Sequence, residues 1–410
     1  MSTTKWCVPV LIAAVAAMCT AMCTACTPGP PAAGGGSATS ITELDYYTDA
    51  EGSAAWQQNL DSCGRQTGIT IARQQVPTDQ LLPTVLRAAG SHSLPNLLMT
   101  DNPTIQQIAA TGALTPVTDY GIATEGYYDS ILKAGTYQGK VYGLAPGVNG
   151  LALFYNKDML GEAGIQPPST WDDLRAAATR LTGNGRYGLA FSAVPSEEGT
   201  WQFLPFFWSN GGDLSQVDSP QATVALQFLT DLVSAGAASK SVLTWKQDDV
   251  TNQFVSGDAA MMINGSWNLN KLDADSALRY GIVPIPVPHP GDTPTVALGG
   301  EVGAVPVTNP DAQQAAGKVL SCLLSEQNML TWDTAHSLVP AKTAVAAEYG
   351  QRYPQMRSFI DEVATAKSRT AELGEKYQPL STALGTAIQS ALTGRQTPAQ
   401  ALHEAAKATS

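Results

Sequence analysis

In residues 41–100 (ITELDYYTDAEGSAAWQQNLDSCGRQTGITIARQQVPTDQLLPTVLRAAGSHSLPNLLMT), the spacing of the hydrophobic residues changes repeatedly between that of strands and that of helices. Short runs rich in β-branched and aromatic residues predict strands, and longer runs with apolar residues three or four positions apart predict helices. Strands that alternate with helices are typical of a parallel or mixed sheet flanked by helices, so we predict an α/β fold. The predicted elements are strand 41–47, helix 53–67, strand 69–76, helix 78–89 and strand 96–100.

Acidic residues directly follow two of these strands. In sheets of this kind, ligands bind outside the carboxyl ends of the strands. Asp49 and Glu51 come after the first strand and Asp101 after the third, so we predict them as ligand-binding residues. A second interpretation of Asp101, as the N-cap of the following helical segment, stays open from the sequence.

A second series of strands and helices begins at residue 151. A strand over 151–155 precedes a helix that begins near Trp171, where Thr170 and Asp173 have the spacing of a capping box. The stretch 281–294 (GIVPIPVPHPGDTP) contains five prolines, which excludes an ordinary helix and favours a connection between domains. A chain of 410 residues is long enough for two or three domains.

Composition and charge exclude several classes of protein. Hydrophobic residues make up 44% and charged residues 14%, which is too apolar for a disordered chain. Lys and Arg number 23 against 35 Asp and Glu, a net charge of -12, with no run of basic residues. Binding to nucleic acid or to an anionic membrane surface needs clustered basic residues, so neither is expected.

The N-terminus predicts export. Lys5 is followed by an apolar stretch at 8–17, which is too short to span a bilayer but is typical of a cleaved secretory signal over 1–25. Cys26 resembles the lipidated cysteine of bacterial lipoproteins, and residues 26–40, rich in Pro, Gly, Ala and Ser, predict a flexible tether. Besides Cys26, the mature chain retains Cys63 and Cys322; two cysteines in an exported protein favour one disulfide, although spacing alone does not show that they meet.

Catalytic and metal motifs are weak. Residues 183–188 match G-x-G-x-x-G, but they follow a predicted helix and precede a strand, the reverse of a dinucleotide-binding site, so we interpret them as a turn. Residues 130–133 match S-x-x-K without its companion motifs. The four histidines lie far apart without zinc-ligand spacing. We therefore expect no enzyme activity, no metal and no cofactor.

Six of the seven tryptophans that follow the predicted signal lie at or beyond Trp171. An indole at the carboxyl end of a strand can stack on the apolar face of a sugar. Trp201, Trp245 and Trp267 lie near glycines and polar turns, so we predict that they contact a ligand. Trp171 and Trp208 lie on predicted helix faces and are expected in the core.

At these residues the chain resembles the extracytoplasmic sugar-binding proteins of ABC importers, the maltose-binding-protein-like group. The resemblance covers nearly all of residues 41–408. Its markers occur in the expected order: LFYNKD at 153–158, PST and Trp at 168–171, FVSGDAAMMINGSW at 254–267, GGE at 299–301 and GRQT at 394–397.

The resemblance implies a two-lobed fold of the type II periplasmic-binding-protein class, with a mixed sheet flanked by helices in each lobe and a ligand cleft at the hinge. The implied first lobe comprises 41–147 and 296–340, and the second comprises 148–295 and 341–410. Cys63 and Cys322 would then both lie on helices of the first lobe, in accord with a disulfide.

The resemblance also implies four further cleft residues. Asn149 stands at the crossover between lobes, and Gly300, Glu301 and Tyr377 complete the set. The implied roles are hydrogen bonds to hydroxyl groups from Asp101, Asn149 and Glu301, and stacking by Trp267 and Trp201. Relatives that bind phosphorylated glycerol, and some that bind disaccharides, place an arginine in the helix after the Tyr377 region. This chain has Thr-Ala-Leu at 382–384, which weakens the case for a glycerophosphodiester and favours a neutral carbohydrate.

We therefore expect a monomeric lipoprotein that captures a mono- or oligosaccharide by lobe closure outside the cell membrane and delivers it to an ABC permease. A glycerophosphodiester such as glycerophosphocholine is the first alternative ligand, since an aromatic site can hold choline by cation-π attraction. An exported glycoside hydrolase and an adhesion or structural lipoprotein are the remaining alternatives.

Overall fold

The computed structural model describes residues 39–408, so the predicted signal, Cys26 and nearly all of the predicted tether lie outside the described residues. The strands are β1 (Ser40–Asp45), β2 (Thr70–Gln75), β3 (Leu97–Asp101), β4 (Leu114–Thr115), β5 (Thr136–Tyr137), β6 (Lys140–Val141), β7 (Gly147–Val148), β8 (Leu151–Asn156), β9 (Tyr187–Ala190), β10 (Ala259–Gly265), β11 (Tyr280–Val283), β12 (Glu301–Pro306) and β13 (Val339–Pro340).

The helices of the same residues are α1 (Ala50–Thr67), α2 (Thr78–Gly90), α3 (Ile105–Ala110), α4 (Asp129–Gly135), α5 (Lys157–Ala163), α6 (Trp171–Leu181), α7 (Glu197–Ser209), α8 (Pro220–Ser234), α9 (Gln247–Val255), α10 (Leu269–Ala274), α11 (Pro310–Leu323), α12 (Glu326–His336), α13 (Thr343–Arg352), α14 (Arg357–Ala364), α15 (Tyr377–Leu392) and α16 (Pro398–Ala408).

Two mixed sheets organise these elements. The first has the order β2-β1-β3-β12-β4, with β1 parallel to β2 and β3, and with β12 antiparallel to β3 and β4. The second has the order β11-β8-β10-β9, with β8 antiparallel to both neighbours and β10 parallel to β9. The predicted α/β class with mixed sheets is confirmed.

Local signals in the sequence explain where the helices begin and end. The Asp49 side chain caps α1 by accepting a hydrogen bond from the Gly52 amide, and Gly68 ends the helix with a φ of 70°. The predicted capping box of Thr170 and Asp173 is present at the start of α6. Residues 183–186 form a turn between α6 and β9, as predicted for the G-x-G-x-x-G match.

The aromatic residues from Trp201 to Trp208 lie on helix α7, which ends at Ser209. The helix buries nearly all of its side chains, because it lies inside the hydrophobic core around the second sheet and has no solvent-exposed face. Trp201 therefore stands on a buried helix and not near a turn. Trp171 and Trp208 are core residues as predicted, and Trp171 stacks on Phe228 with ring centroids 4.8 Å apart.

A disulfide joins Cys63 on α1 to Cys322 on α11, which confirms the predicted pair. Both helices cover the first sheet and contact each other closely. Asn328 donates a 2.9 Å hydrogen bond to the Cys322 carbonyl and lies beside both sulfur atoms. The bond thus ties together two helices that are 259 residues apart in the chain.

Short strand pairs connect the two sheets. Gly147–Val148 of β7 pairs with Val339–Pro340 of β13, and Asn149 pairs with Gly299 through two backbone hydrogen bonds of 3.2 and 2.8 Å. The proline-rich stretch contains the end of β11 and no helix, as expected. Division of the chain into lobes at 147/148, 295/296 and 340/341 stays a prediction.

A buried carboxyl group lies against the first of these connections. Asp333 on α12 is fully buried, and neither of its carboxylate oxygens has a hydrogen-bond partner among residues 39–408. It contacts Gly147 so closely that a Cβ there would fall 2.1 Å from Oδ1. Burial raises the pKa of Asp333 well above its usual value.

We expect Asp333→Asn to stabilise the protein near pH 8. The folded chain holds a proton that the unfolded chain releases, so the stability that protonation supplies is complete below the unfolded pKa and is lost as pH rises. The amide does not ionise and lacks this penalty, which is about 1.4 kcal/mol for each unit by which the folded pKa exceeds the unfolded one, so the variant should gain on the order of 1–3 kcal/mol or more near pH 8. Urea unfolding measures the difference.

The gain should fall to about 0.5 kcal/mol near pH 4, where the carboxyl group of the unfolded wild type is about half protonated, and should vanish below about pH 3. Asp61→Asn, an exposed substitution on α1, is the matched control and should show no such dependence. An equal gain at both pH values, or a loss near pH 8, would contradict the assignment of a protonated Asp333.

Candidate functional site

The ends of two adjacent strands bring predicted residues together. Asp101 is the last residue of β3 and Glu301 the first of β12, and the antiparallel register sets the two directly opposite each other. Asp101 precedes a short 3-10 turn but forms no side-chain cap with it. Its carboxylate is therefore free of the capping role that the sequence left open.

Arg369 binds this carboxylate. Its guanidinium donates to Asp101 Oδ2 at 2.9 Å and Oδ1 at 2.5 Å, and a third hydrogen bond of 2.7 Å reaches Glu197 Oε1 at the start of α7. The Arg369 side chain is 2% exposed, whereas those of Asp101 and Glu197 are 20% and 22% exposed. The two carboxylates thus line a surface that a solute can reach, with the arginine behind them.

Burial and charge oppose each other in this cluster. Burial alone would lower the pKa of Arg369, but Asp101 and Glu197 reverse that effect and raise it above its usual value. Burial raises the pKa of Glu197, although Arg369 opposes the shift. The guanidinium stays charged, and its positive charge offsets the free-energy cost of placing two carboxylates at this partly buried position.

Tyr377 acts through Glu197. The tyrosine is fully buried, and its hydroxyl donates a 2.7 Å hydrogen bond to Glu197 Oε1, while Ser381 one turn along α15 donates to Oε2. The predicted ligand contact of Tyr377 is thus replaced in this structure by a positioning contact. Helix α15 thus orients the Glu197 carboxylate through these two hydrogen bonds.

Two adjacent tyrosines hold Glu301. Tyr46 donates to Glu301 Oε1 at 2.5 Å and Tyr47 to Oε2 at 3.0 Å. Burial raises the pKa of Glu301, and the nearby Asp101 charge acts in the same direction. Both tyrosines directly follow β1, so the strand-end rule that pointed to Asp49 and Glu51 could have found them.

Trp201 and Trp267 form a stacked pair beside the carboxylates. Their ring centroids are 5.8 Å apart with an interplanar angle of 21°, and the Arg369 guanidinium lies 5.3 Å from the Trp201 ring centre. Trp201 Nε1 donates to the Ala297 carbonyl at 3.0 Å. Trp267 is only partly buried and so presents ring surface to the solvent.

Asn149 and Gly300 complete the surroundings of this pair. The Asn149 Oδ1 atom is buried without a hydrogen-bond partner among the described residues, which leaves an acceptor for a ligand hydroxyl. Gly299 must lack a side chain, because a Cβ would fall 1.9 Å from this oxygen and 2.6 Å from the Trp201 ring. Gly300 contributes its carbonyl, which accepts two hydrogen bonds from Asn102.

Three predicted residues lie outside the cluster. Asp49 is exposed and caps α1, and Glu51 is exposed in the first turn of that helix. Trp245 is half-buried between the two hydrophobic cores. No contact in the described part of the chain joins them to Arg369 or its partners.

Arg369 itself is a correction to the sequence analysis. The expected arginine was sought after Tyr377 and found missing, but a buried arginine lies eight residues before it, in the loop between α14 and α15. No pattern marks this position, since a lone arginine in an irregular loop has no periodicity. The absence of an arginine at 382–384 therefore does not by itself favour a neutral ligand.

Two absences within residues 39–408 bear on the remaining expectations. No helix there has the length and apolar character that crossing a bilayer requires. No group of three His, Cys, Asp or Glu side chains there is arranged to hold a metal ion.

Comparison with known proteins identifies relatives across most of the chain. The model of a family described as bacterial extracellular solute-binding protein matches residues 58–358. A putative binding protein of Brucella abortus is 24% identical over 352 residues, which cover 83% of this chain and 84% of the relative. The sn-glycerol-3-phosphate-binding periplasmic protein UgpB of Escherichia coli K12 is 25% identical over 62% of this chain and 63% of its own length.

Solved structures share the fold. An ABC transporter solute-binding protein from Thermotoga lettingae, bound with α-D-tagatose, superposes with a TM-score of 0.82 at 24% identity and covers 90% of this chain and 98% of that chain. Maltose-bound MalE3 of T. maritima has a TM-score of 0.82 at 24% identity, with coverage of 90% and 99%. The two-lobed periplasmic-binding-protein fold is confirmed.

Proposed function

This chain belongs to the family of bacterial extracellular solute-binding proteins, as the solute-binding component of an ABC transporter, and we propose that its solute is a mono- or oligosaccharide. Such proteins bind their solute without transforming it, so the chain is not an enzyme. The lobes close on the sugar at the hinge, and the loaded protein delivers it to the permease.

The observation that supports a sugar is the stacked pair of Trp201 and Trp267 beside the carboxylates of Asp101 and Glu197. A sugar ring offers an apolar face to an indole and hydroxyl groups to carboxylates. The unpartnered Asn149 oxygen adds a further acceptor. The two named ligands of the solved relatives, tagatose and maltose, belong to the same chemical class.

We expect Trp267→Ala to abolish the stabilisation that a bound sugar confers. The wild type, without residues 1–25, is screened by thermal shift against mono- and disaccharides, cyclodextrins, amino sugars and glycerophosphodiesters. A ligand at about 100 times its dissociation constant adds roughly 2.7 kcal/mol, which is a clear rise in the midpoint. The variant loses the stacking surface and should show no rise at the same concentration.

Tyr187→Ala is the matched control. It removes a partly buried aromatic residue at the amino end of β9, away from the carboxyl ends of the strands. It should keep the full ligand-induced rise. Binding that survives in Trp267→Ala would remove the stacking role, and a folded protein that responds to no sugar in the panel would count against the carbohydrate.

A glycerophosphodiester is the second candidate, and the likeness to UgpB over 62% of the chain favours it. The aromatic pair would hold a choline group, and Arg369 would have to hold the phosphate. A thermal shift with glycerophosphocholine and none with sugars would select this ligand. The carbohydrate is preferred because both carboxylates already bind Arg369.

We also propose that the mature protein is a monomer anchored to the outer face of the cell membrane by a lipid on Cys26. A small-residue sequence before this cysteine supports the anchor. Mass spectrometry of the mature N-terminus tests it: a diacylglyceryl-modified Cys26 is expected, and an unmodified N-terminus would disprove lipidation.

A further inference from the structure

Arg369 has almost no capacity left for a ligand. A guanidinium carries five N–H donors. Four of them are engaged in this protein: Nε donates to the Leu298 carbonyl at 3.1 Å, Nη1 to both Asp101 and Glu197, and Nη2 to Asp101. A phosphate or carboxylate group is bound best through two parallel donors, and Arg369 does not have two free.

The charges around Arg369 also disfavour an anionic ligand. In residues 39–408 it is the one cation that forms an ion pair with Asp101 or Glu197, and Glu301 opposite Asp101 has no cationic partner there. Two carboxyl groups thus bind one guanidinium, and a third lies beside Asp101. An anionic ligand at this surface would meet carboxylates first and would have to displace one of them from Arg369.

We propose that Asp101 and Glu197 set the charge selectivity of the cleft: by occupying Arg369 they admit uncharged sugars and exclude ligands that carry a phosphate or carboxylate. The substrate class is thereby narrowed to sugars without an anionic group. This inference rests on the proposed function only in taking the cleft as the solute site. Removal of the two negative charges leaves the guanidinium available and should convert the cleft into an anion site.

The test is the double variant Asp101→Asn/Glu197→Gln, titrated calorimetrically with glycerol 3-phosphate and, in parallel, with glycerol. The amides keep the size of the side chains, and they retain an oxygen for Arg369 but no charge. We expect the double variant to bind glycerol 3-phosphate at least tenfold more tightly than the wild type, with an affinity that falls as salt rises. The wild type and the double variant should not differ measurably in their affinity for glycerol.

Two further variants make the result specific. Asp172→Asn/Glu404→Gln changes the net charge equally at two exposed carboxylates, each paired with a surface cation, and should gain no anion affinity. Adding Arg369→Gln to the double variant should remove the gain. If the double variant does not fold, as judged by circular dichroism, Asp101→Asn alone leaves the bonds of Glu197 with Tyr377 and Ser381 intact and should show a smaller gain.

The outcomes separate this inference from the proposed function. A wild type that binds a sugar, with no anion gain in the double variant, overturns the charge selectivity and leaves the carbohydrate function standing. A wild type that binds no sugar, with the tenfold anion gain in the double variant, supports the charge selectivity and overturns the carbohydrate function. Glycerol 3-phosphate binding by the wild type as tight as by the double variant, or an equal gain in the surface control, overturns the inference.

Discussion

Arg369→Gln is expected to lower the free energy of unfolding by about 3–5 kcal/mol at neutral pH. The substitution removes the one cation of residues 39–408 that pairs with Asp101 and Glu197, whose carboxylates are about four-fifths buried, and breaking a buried ion pair from one side costs this much. Partial exposure of the two carboxylates favours the lower end of the range. Urea unfolding near pH 7 measures the loss.

The loss should shrink as pH falls. Arg369 opposes the rise that burial causes in the pKa of Glu197, so without Arg369 the folded state takes up a proton that the unfolded state does not, and the variant gains relative stability at lower pH. Asp101→Asn in the Arg369→Gln background removes one of the uncompensated charges and should restore part of the stability.

Arg279→Gln is the matched control, since Arg279 pairs with Asp158 at the surface with both side chains largely exposed. Its effect should stay below about 0.5 kcal/mol. A loss in Arg369→Gln as small as that of the control would mean that the buried ion pair contributes nothing net to folding.

The double variant Cys63→Ser/Cys322→Ser is expected to lose about 2–5 kcal/mol of stability. The disulfide closes a loop of 259 residues, and in the chain-entropy account the constraint on the unfolded state grows with loop length. Urea unfolding of oxidised wild type and variant measures the loss. Treatment with a reductant should destabilise the wild type by a similar amount and leave the variant unchanged.

Ligand affinity should hardly change in that variant. Cys63 lies 14 residues after the Asp49 cap of α1, about 21 Å along the helix axis, and in the described residues no hydrogen bond, ion pair or ring contact joins Cys63 or Cys322 to Arg369 or its partners. A tenfold loss of affinity with retained stability would show that the disulfide acts on the cleft rather than on the unfolded chain.

The two effects illustrate how stability and recognition share residues in this fold. Arg369 is needed to bury Asp101 and Glu197 near the cleft, and those carboxylates in turn are the groups that a sugar hydroxyl would meet. The disulfide, by contrast, joins two helices that cover the first sheet. We therefore expect cleft substitutions to change stability and binding together, and the disulfide to change stability alone.

Much of the fold could be predicted because its signals are local. The strands at 41–47 and 96–100, the apolar stripe of Trp56, Leu60 and Cys63, and the capping box at Thr170 each depend on neighbours within a few positions. The strand-end rule then selected Asp101, and the resemblance added Glu301 beside it. The helix at 197–209 was predicted only in part, with Trp208 on a helix face but Trp201 near a turn, because a segment that is buried all round has no polar face to reveal its period.

The sequence by itself therefore determined the α/β class and the two series of elements, and it favoured one disulfide and predicted a set of ligand-binding residues. Only the tertiary structure decided what those residues contact. Asp101 is paired with an arginine 268 positions away, and that arginine also holds Glu197 at a distance of 172 positions. Ion pairs and stacking form between side chains that folding brings together, and such contacts leave no spacing in the chain from which they could be read.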